Sequence, residues 1–408
     1  MARGPAAWDG LVPLRVVTTV LAARNAVAGA FMLNGFLFAS LVSRIPDLRG
    51  GLSLDNGSLG FLLLAIAAGS VLALPTAGAL IGRSSESTVV RAGTLCSTVG
   101  LLLAGLGAGP AGSAPACGVG LFLYGIGTGL WDVAMNVEGA EVERQLGRSI
   151  MSRFHAAWSL GSITGAGVGI PMAALQVSLP VHFGVLGGLA LVLVLRATRS
   201  FLPAVEPPAS EPGASPARSA WLEPRTLAIG LMVLTFTVAE GSANDWLSLA
   251  LIDGYDVAHW VGVTGYVVFV VAMTVGRVTG PVVLDRFGRA PVLWASAAAA
   301  AFGILLVVFG GHPVLVGAGI LVWGLGAALG FPTGISAAAD DPLRSAARVS
   351  VVSTIGYGAF LAGPPLLGAL ADRVGTLESL LAVALLMIPA ALTAFAARPV
   401  RDTGPAAR

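Results

Sequence analysis

Charged residues are scarce in this 408-residue sequence, and lysine is absent altogether. Asp, Glu and Arg together make up 11% of the chain, whereas hydrophobic residues make up 56%, and the mean hydropathy is +0.86. Soluble domains typically carry about 25% charged residues, so this composition excludes an ordinary soluble domain. The net charge of +2 gives no sign of a nucleic-acid-binding surface, and we expect no nucleic-acid partner.

Cysteine is also nearly absent. Cys96 and Cys117 fall near opposite ends of two consecutive apolar segments, where they cannot easily meet, so we interpret them as buried small residues without a disulfide or metal role. The sequence further lacks a nucleotide-binding loop, a metal-ligand cluster and a nucleophile–base motif. We therefore predict that the protein is not an enzyme and has no cofactor.

Long apolar runs dominate what remains. An α-helix of about 20 residues spans the hydrocarbon core of a bilayer, so each run is a candidate transmembrane helix. The twelve predicted segments, numbered 1 to 12 in chain order, are 22–42, 59–81, 91–109, 115–137, 154–176, 180–196, 226–251, 259–283, 291–310, 313–338, 348–371 and 377–397. The predicted fold class is all-α, a polytopic membrane protein whose surroundings are the lipid bilayer.

The arginines indicate the orientation of these segments. Only Arg44, Arg49 and Arg373 fall outside if the N-terminus is cytoplasmic, and Arg277 lies within segment 8. Because cytoplasmic loops are enriched in basic residues, we predict that both termini are cytoplasmic.

The chain divides into two similar halves. We predict a six-helix bundle at 1–200, a proline-rich cytoplasmic linker at 201–225 and a second six-helix bundle at 226–408. Laying segment 4 on segment 10 with a shift of 199 aligns Gly118, Gly120, Tyr124, Gly125 and Gly127 with Gly317, Gly319, Trp323, Gly324 and Gly326. The repeat also pairs Asn34 with Glu240, and Asp132 with Phe331. Its glycines are typical of close helix packing in lipid.

Two loops resemble the G-x-L-A-D-R-x-G-R motif of the major facilitator superfamily. The first copy, between segments 2 and 3, keeps Gly78 and Arg83 but loses the Asp and the final Gly-Arg. The second copy, between segments 8 and 9, keeps Asp285, Arg286, Gly288 and Arg289. The resemblance implies that these residues form gating loops, and that the two bundles rock about a central site. A third similar stretch, from Gly368 to Gly375, is interpreted as a hairpin turn.

Three further stretches resemble YbjJ-like transporters, a bacterial group related to the fucose:proton symporters. They are Ser43-Arg44-Ile45-Pro46, Trp131-Asp132-Val133-Ala134-Met135-Asn136, and the run from Met151 to Gly161. In those symporters an E-x-x-x-N pattern carries the coupling proton, and Asp132 resembles its Glu by position. His155 and Trp158 stand where the sugar symporters often have Gln and Asn, which argues against a simple sugar as substrate. The resemblance also implies that the protein lies in the inner membrane of a bacterial cell.

Ionisable residues within a span are costly, so each is a candidate for function. We predict Asp132, Glu240 and His155 as proton-coupling residues. A packing or hydrogen-bonding role for Asp132, a salt bridge for Glu240 and an interface role for His155 stay open. Arg277 is expected to pair with a carboxylate. The predicted substrate cavity contains Asn34, Asn136, Trp158, Asn244, Tyr266, Trp323, Phe331 and Tyr357, with Trp323 and Phe331 closing one side.

These features predict a secondary active transporter that moves a small-molecule substrate by alternating access, with proton symport as the main hypothesis. The alternative is a proton-antiporting exporter of a drug or secondary metabolite, and a membrane sensor without transport is a third. We expect a functional monomer. The charged residues Glu138, Glu141, Glu143, Arg144 and Arg148 are interpreted as a solvated cytoplasmic network, and a part in an inner gate stays open as the alternative.

Overall fold

The computed structural model describes residues 14–54, 56–203, 219–257 and 259–399. Within these ranges the chain is helical and contains no β-strand. The first half comprises α1 (Leu14–Val42), α2 (Ile45–Gly51), α3 (Asn56–Arg83), α4 (Glu86–Ala108), α5 (Ala114–Leu146), α6 (Met151–Ala174) and α7 (Leu179–Ala197). The second comprises α8 (Pro224–Tyr255), α9 (His259–Phe287), α10 (Arg289–Phe309), α11 (Pro313–Ala327), α12 (Gly330–Ala338), α13 (Ser345–Val374) and α14 (Thr376–Thr393).

Eleven helical stretches of the described residues are long and apolar enough to cross a membrane, with α11 and α12 together forming one of them. The predicted all-α, multi-pass fold is confirmed. The count of twelve is not, because α6, which corresponds to segment 5, is not among the eleven. Residues 204–218 lie outside the described ranges, so most of the predicted linker does too, and the bundle boundaries stay a prediction.

The two halves pack their helices in the same pattern. In the first, α5 packs on α3 and α4, and α1 packs on α6 and α7. In the second, α11 packs on α9 and α10, and α8 packs on α13 and α14. The repeated glycines serve equivalent contacts: a Cβ on Gly127 would lie 2.4 Å from the backbone nitrogen of Ser97, and a Cβ on Gly326 would lie 2.4 Å from that of Ala300. A larger side chain at either glycine would force the helices apart.

Segment 10 is broken in the structure, although its sequence predicts one continuous helix. α11 ends at Ala327, and α12 begins at Gly330. The glycine lets α12 approach α8 closely, since a Cβ on Gly330 would lie 2.0 Å from Cγ of Phe236. Broken helices at membrane depth are tolerated where they are buried in protein or line a cavity.

The two bundles meet at the end of the molecule where α7 finishes near Ser200 and α8 begins at Pro224, here called the linker end. α3 packs against α13 there, and α6 packs against α9. A Cβ on Gly78 would lie only 2.7 Å from the carbonyl oxygen of Ala346. Four residues further along the chain than Ala346, the Ser350 hydroxyl donates to the carbonyl oxygen of Leu74. The linker end is therefore closed between the bundles.

Candidate transport site

Asp132 lies in the middle of α5 at the boundary between the two bundles. It is 6% exposed, and Asn136 one turn later donates from Nδ2 to its backbone carbonyl at 2.9 Å and to its Oδ1 at 3.3 Å. Tyr357 of α13, in the second bundle, interacts with the same carboxyl. Within the described ranges, Oδ2 of Asp132 has no hydrogen-bond partner. The i, i+4 arrangement inferred from the sequence is thus present, and it faces the opposite bundle.

His155 joins this carboxyl group to a row of aromatic rings. Its Nε2 lies 3.3 Å from Oδ1 of Asn136, and its ring meets Phe31 and Phe331 edge-on at centroid distances of 5.0 and 5.3 Å. Phe331 in turn contacts the ring of Tyr357 at 6.4 Å. The row crosses from the first bundle to the second, and the place of Phe331 and Tyr357 in the wall of a substrate cavity stays a prediction. Phe31 was not predicted, because a phenylalanine in an apolar segment carries no distinguishing signal.

Glu240 and Arg277 form a buried ion pair inside the second bundle. Nη2 of Arg277 lies 2.9 and 2.7 Å from the two carboxylate oxygens of Glu240, and the Arg277 side chain is only 4% exposed. Nη1 of Arg277 also donates to the Ser159 hydroxyl of α6 at 3.1 Å, which links the two bundles. Arg277 therefore has the carboxylate partner that its sequence position required. For Glu240, this geometry favours the salt bridge over a free proton-carrying carboxyl.

Asn34 pairs within its own bundle. Nε1 of Trp158 donates to its Oδ1 at 2.9 Å, and the Trp158 ring packs on Phe38 at a centroid distance of 5.5 Å. Asn34 is 5% exposed. Glu240, its mate in the repeat, is not among the hydrogen-bond partners of Asn34 in the described residues. Trp158 is instead the residue that fixes the Asn34 amide.

The outer part of α8 carries the remaining polar candidates. Asn244 is exposed, and Tyr266 of α9 is half-buried. Tyr266 interacts electrostatically with both Glu240 and Asp245, so these three residues share one region between α8 and α9. Asp245 was not among the predicted site residues, and its exposure inside a span makes it a functional candidate as well.

Trp323 does not line the site, which corrects the prediction that it closes one side. Its ring is 0% exposed and packs edge-on against Phe269 at 5.3 Å, between α9 and α11. Its mate in the repeat, Tyr124, is 1% exposed in the first bundle. Both rings sit among the repeated glycines. The repeat itself was the signal that these two aromatic residues serve helix packing.

The second gating motif binds partners on both sides of the bundle boundary. Oδ1 of Asp285 accepts a hydrogen bond at 2.9 Å from the backbone nitrogen of Ser149, in the first bundle. Arg289 donates to Oδ1 of Asp340 at 2.6 Å and to the Ser336 hydroxyl at 2.8 Å. Gly288 adopts a φ of +79° as it starts α10, a conformation that favours glycine.

The predicted arginines of the two motifs differ in what they touch. Arg83 and Arg286 are exposed, and the Arg286 guanidinium lies 5.2 Å from the ring centroid of Phe287. Gly78 provides the close approach of α3 to α13. The interpretation of the third similar stretch also fits the geometry, because Gly375 turns the chain with a φ of +99° between α13 and α14.

Glu143 and Glu138 are buried, which corrects their interpretation as members of a solvated network. Oε2 of Glu143 accepts from the backbone nitrogens of Ile150 and Met151 at 2.6 and 2.7 Å, at the start of α6, and Oε1 accepts from Ser336 of α12. Glu143 thus bonds across the bundle boundary. Oε1 of Glu138 accepts from the backbone nitrogen of Leu202 at 2.7 Å. Sequence spacing could not separate these residues from the solvated Glu141–Arg144 pair.

The sequence model of the Major Facilitator Superfamily matches residues 27–355. The chain belongs to this superfamily. An uncharacterized transporter of Sinorhizobium fredii is 34% identical over 357 residues, which cover 85% of this chain and 90% of the relative. An uncharacterized MFS-type transporter of Yersinia pestis is 32% identical over 378 residues, covering 90% and 93%.

Solved structures of the superfamily share the fold at low sequence identity. The transporter FucP in its outward conformation superposes with a TM-score of 0.77 at 15% identity, covering 94% of this chain and all of FucP. The proton:xylose symporter XylE gives 0.70 at 12%, covering 92% and 95%. The protein is therefore a multi-pass membrane transporter of small molecules and not an enzyme. Its place among the YbjJ-like transporters stays a prediction.

Proposed function

We propose that this transporter is a proton-coupled symporter and that Asp132 carries the coupling proton. The observation that carries the proposal is the Asp132 carboxyl itself, buried between the bundles with one oxygen unpartnered within the described residues. An ionised carboxylate without full hydrogen bonding is costly to bury, and taking up a proton removes that cost. Glu240 is less suited to the role, because Arg277 already balances its charge.

The neighbours of Asp132 explain how its proton acts on the shape of the protein. Asn136 belongs to the same helix, whereas Tyr357 belongs to the opposite bundle. A change of charge at Asp132 alters its interaction with Tyr357, and with it the balance between the two relative positions of the bundles. The proton therefore biases the step that exchanges access between the two sides of the membrane.

The closed linker end is cytoplasmic in this proposal, and the site opens to the outside. The arginine distribution supports that orientation, although both termini lie outside the described residues. FucP in its outward conformation is similar in fold, and both the fucose:proton symporter and the proton:xylose symporter are named for symport. Substrate and proton would enter from outside and leave together into the cytoplasm.

Infrared difference spectroscopy tests the proton site without a known substrate. Purified protein cycled between acidic and neutral pH is expected to show the carbonyl band of a protonated carboxylic acid, and Asp132→Asn should lack it. Asp245→Asn is the matched control, because it removes another intramembrane acid. Proteoliposomes with an internal pH dye then test transport against a panel of small solutes. A solute that drives proton uptake in the wild type should drive none in Asp132→Asn, and coupled uptake in that variant would overturn the proposal.

A further inference from the structure

A small cavity lies beside the transport site, between the outer part of α8 and α13. The residues that line it include Asp245, Trp246 and Phe360 and the small residues Gly241 and Ser242. The Phe360 ring contacts Tyr357 edge-on at 5.8 Å, so the cavity continues the aromatic row that runs past His155 and Phe331. Nothing in the proposed proton step uses this cavity.

The charges around the site do not balance. Arg277 neutralises Glu240, and the ion pairs of the described residues give neither Asp132 nor Asp245 a basic partner. If Asp132 takes up the coupling proton, Asp245 is left as the acid without a counter-charge. An exposed carboxylate in a membrane span must face water or a ligand and not lipid.

The cavity shows which way Asp245 faces. Asp245 lines the same cavity as Phe360 of α13, and the Phe360 ring contacts Tyr357. Asp245 is therefore on the side of α8 that faces α13 and the aromatic row. Two aromatic residues line the same cavity as Asp245, namely Trp246 and Phe360, and Phe360 is 45% exposed. A carboxylate flanked by aromatic faces is the combination that binds an ammonium group by charge and by cation–π attraction.

We infer that Asp245, Trp246 and Phe360 form a subsite for the positively charged head of the substrate, which is a small organic cation with an apolar body. The inference rests on the proposed function in taking this cavity as part of the transport site. Two features of the wall fit the two parts of such a solute. The carboxylate end binds the ammonium group, and the aromatic row towards His155 accommodates the body.

Isothermal titration calorimetry on the purified full-length protein tests the head group directly. The probes are 2-phenylethylammonium, 2-phenylethanol and phenylacetate, which share a ring and differ in charge. The cation is expected to bind, with the neutral alcohol about tenfold weaker or worse and the anion weaker still. Equal binding of the alcohol and the cation, or no binding of the cation at millimolar concentration, would overturn the inference.

Two pairs of variants locate the binding. Asp245→Asn should weaken binding of the cation about tenfold. Asp253→Asn removes an exposed acid of the same helix, which is bonded to Thr376, and should leave binding of the cation unchanged. Phe360→Leu should weaken binding of the cation and Phe360→Tyr should preserve it, because only the first substitution removes the aromatic ring. If Asp245→Asn binds the cation as the wild type does, the subsite is wrong.

The same titration separates this inference from the proton site. Asp132→Asn tests proton coupling, whereas Asp245→Asn tests cation binding, so the two readouts come from different variants. Loss of proton coupling in the first variant and weaker cation binding in the second support both statements. If Asp132→Asn retains proton coupling while cation binding still depends on Asp245, the proposed proton site is wrong and the cation subsite stands.

Discussion

Arg277 of the second bundle donates a hydrogen bond to Ser159 of the first over 3.1 Å. The same guanidinium is held by the Glu240 carboxylate, so one side chain is tied to both bundles. The position of Arg277, and through it this contact between bundles, depends on the charge of Glu240. The ion pair is thus a structural element of the boundary as well as part of the wall of the site.

Breaking the ion pair from either side should be costly. Glu240→Gln and Arg277→Met are each expected to lower the free energy of unfolding by about 3 kcal/mol, because each leaves a buried charge unpaired. The double variant should lose less than the sum of the two single losses. Denaturant unfolding of the four proteins in one detergent measures this. Additive losses would show that the two residues do not stabilise each other.

Gly78→Val is expected to disfavour the closed linker end, because a Cβ there would meet Ala346 at 2.7 Å. Gly82→Val is the matched control one turn later, where nothing lies within 4 Å of the added carbon. Ser152, which is 2% exposed and lines a cavity at this boundary, provides the reporter as Ser152→Cys, with the native cysteines replaced by alanine. Thiol labelling should accelerate with Gly78→Val and stay slow with Gly82→Val. Equal rates would contradict the assigned boundary.

Glu143→Gln should destabilise the protein more than Glu141→Gln does. The Glu143 carboxylate accepts from two backbone nitrogens at the start of α6, whereas Glu141 pairs with Arg144 on an accessible surface. Loss of the charged acceptor is expected to cost about 1.5–3 kcal/mol, against less than about 1 kcal/mol for the surface pair. Thermal unfolding in detergent ranks the two variants. Equal melting temperatures would argue against the capping role of Glu143.

Acidification is expected to weaken the attachment of α8 to α13 at the linker end. Burial alone would raise the pKa of Glu223, but hydrogen bonds from Arg348 and Thr226 and the charges of Arg348 and Arg344 hold that pKa below its ordinary value of 4.5. A carboxyl with a lowered pKa stabilises the folded state above its unfolded pKa, and that contribution disappears as the pH falls through the folded pKa. The free energy of unfolding of the wild type should therefore decrease as the pH is lowered below about 4.5.

Glu223→Gln isolates this contribution. The variant should be less stable than the wild type at neutral pH, and the difference between the two should shrink as the pH drops below 4.5. Asp253→Gln serves as the comparison, since that acid has only a hydroxyl partner. A difference between wild type and Glu223→Gln that stays constant from pH 7 down to acid would show that the carboxylate charge is not involved.

The apolar runs predicted the helices well, because the length needed to cross a bilayer leaves a strong signal in the sequence. The pairing of Asp132 with Asn136 followed from helical spacing alone, and a buried Arg277 required a carboxylate. The break between Ala327 and Gly330 did leave a local signal. Pro332 has no N–H to donate to the carbonyl of Ala328 in a continuous helix, and Gly330 lies just before it, but the long apolar run of segment 10 outweighed both in the prediction.

The site was harder to predict than the fold, since burial and partners depend on how two bundles meet. Glu143 and Glu141 are two residues apart and chemically similar, yet only Glu143 is turned into the boundary. Trp323 and Tyr357 are both aromatic residues of the second bundle, and only Tyr357 reaches the opposite carboxyl. A single sequence indicates which residues share a helix face, but it does not indicate how the two bundles are placed relative to each other.

The two carboxylate oxygens of Glu143 bind different bundles. Oε2 stays with Ile150 and Met151 in its own bundle, whereas Oε1 reaches Ser336 in the other. Separation of the bundles therefore releases one oxygen to water and leaves the start of α6 intact. The contact between Glu143 and Ser336 can therefore break and form again without unwinding a helix in either bundle.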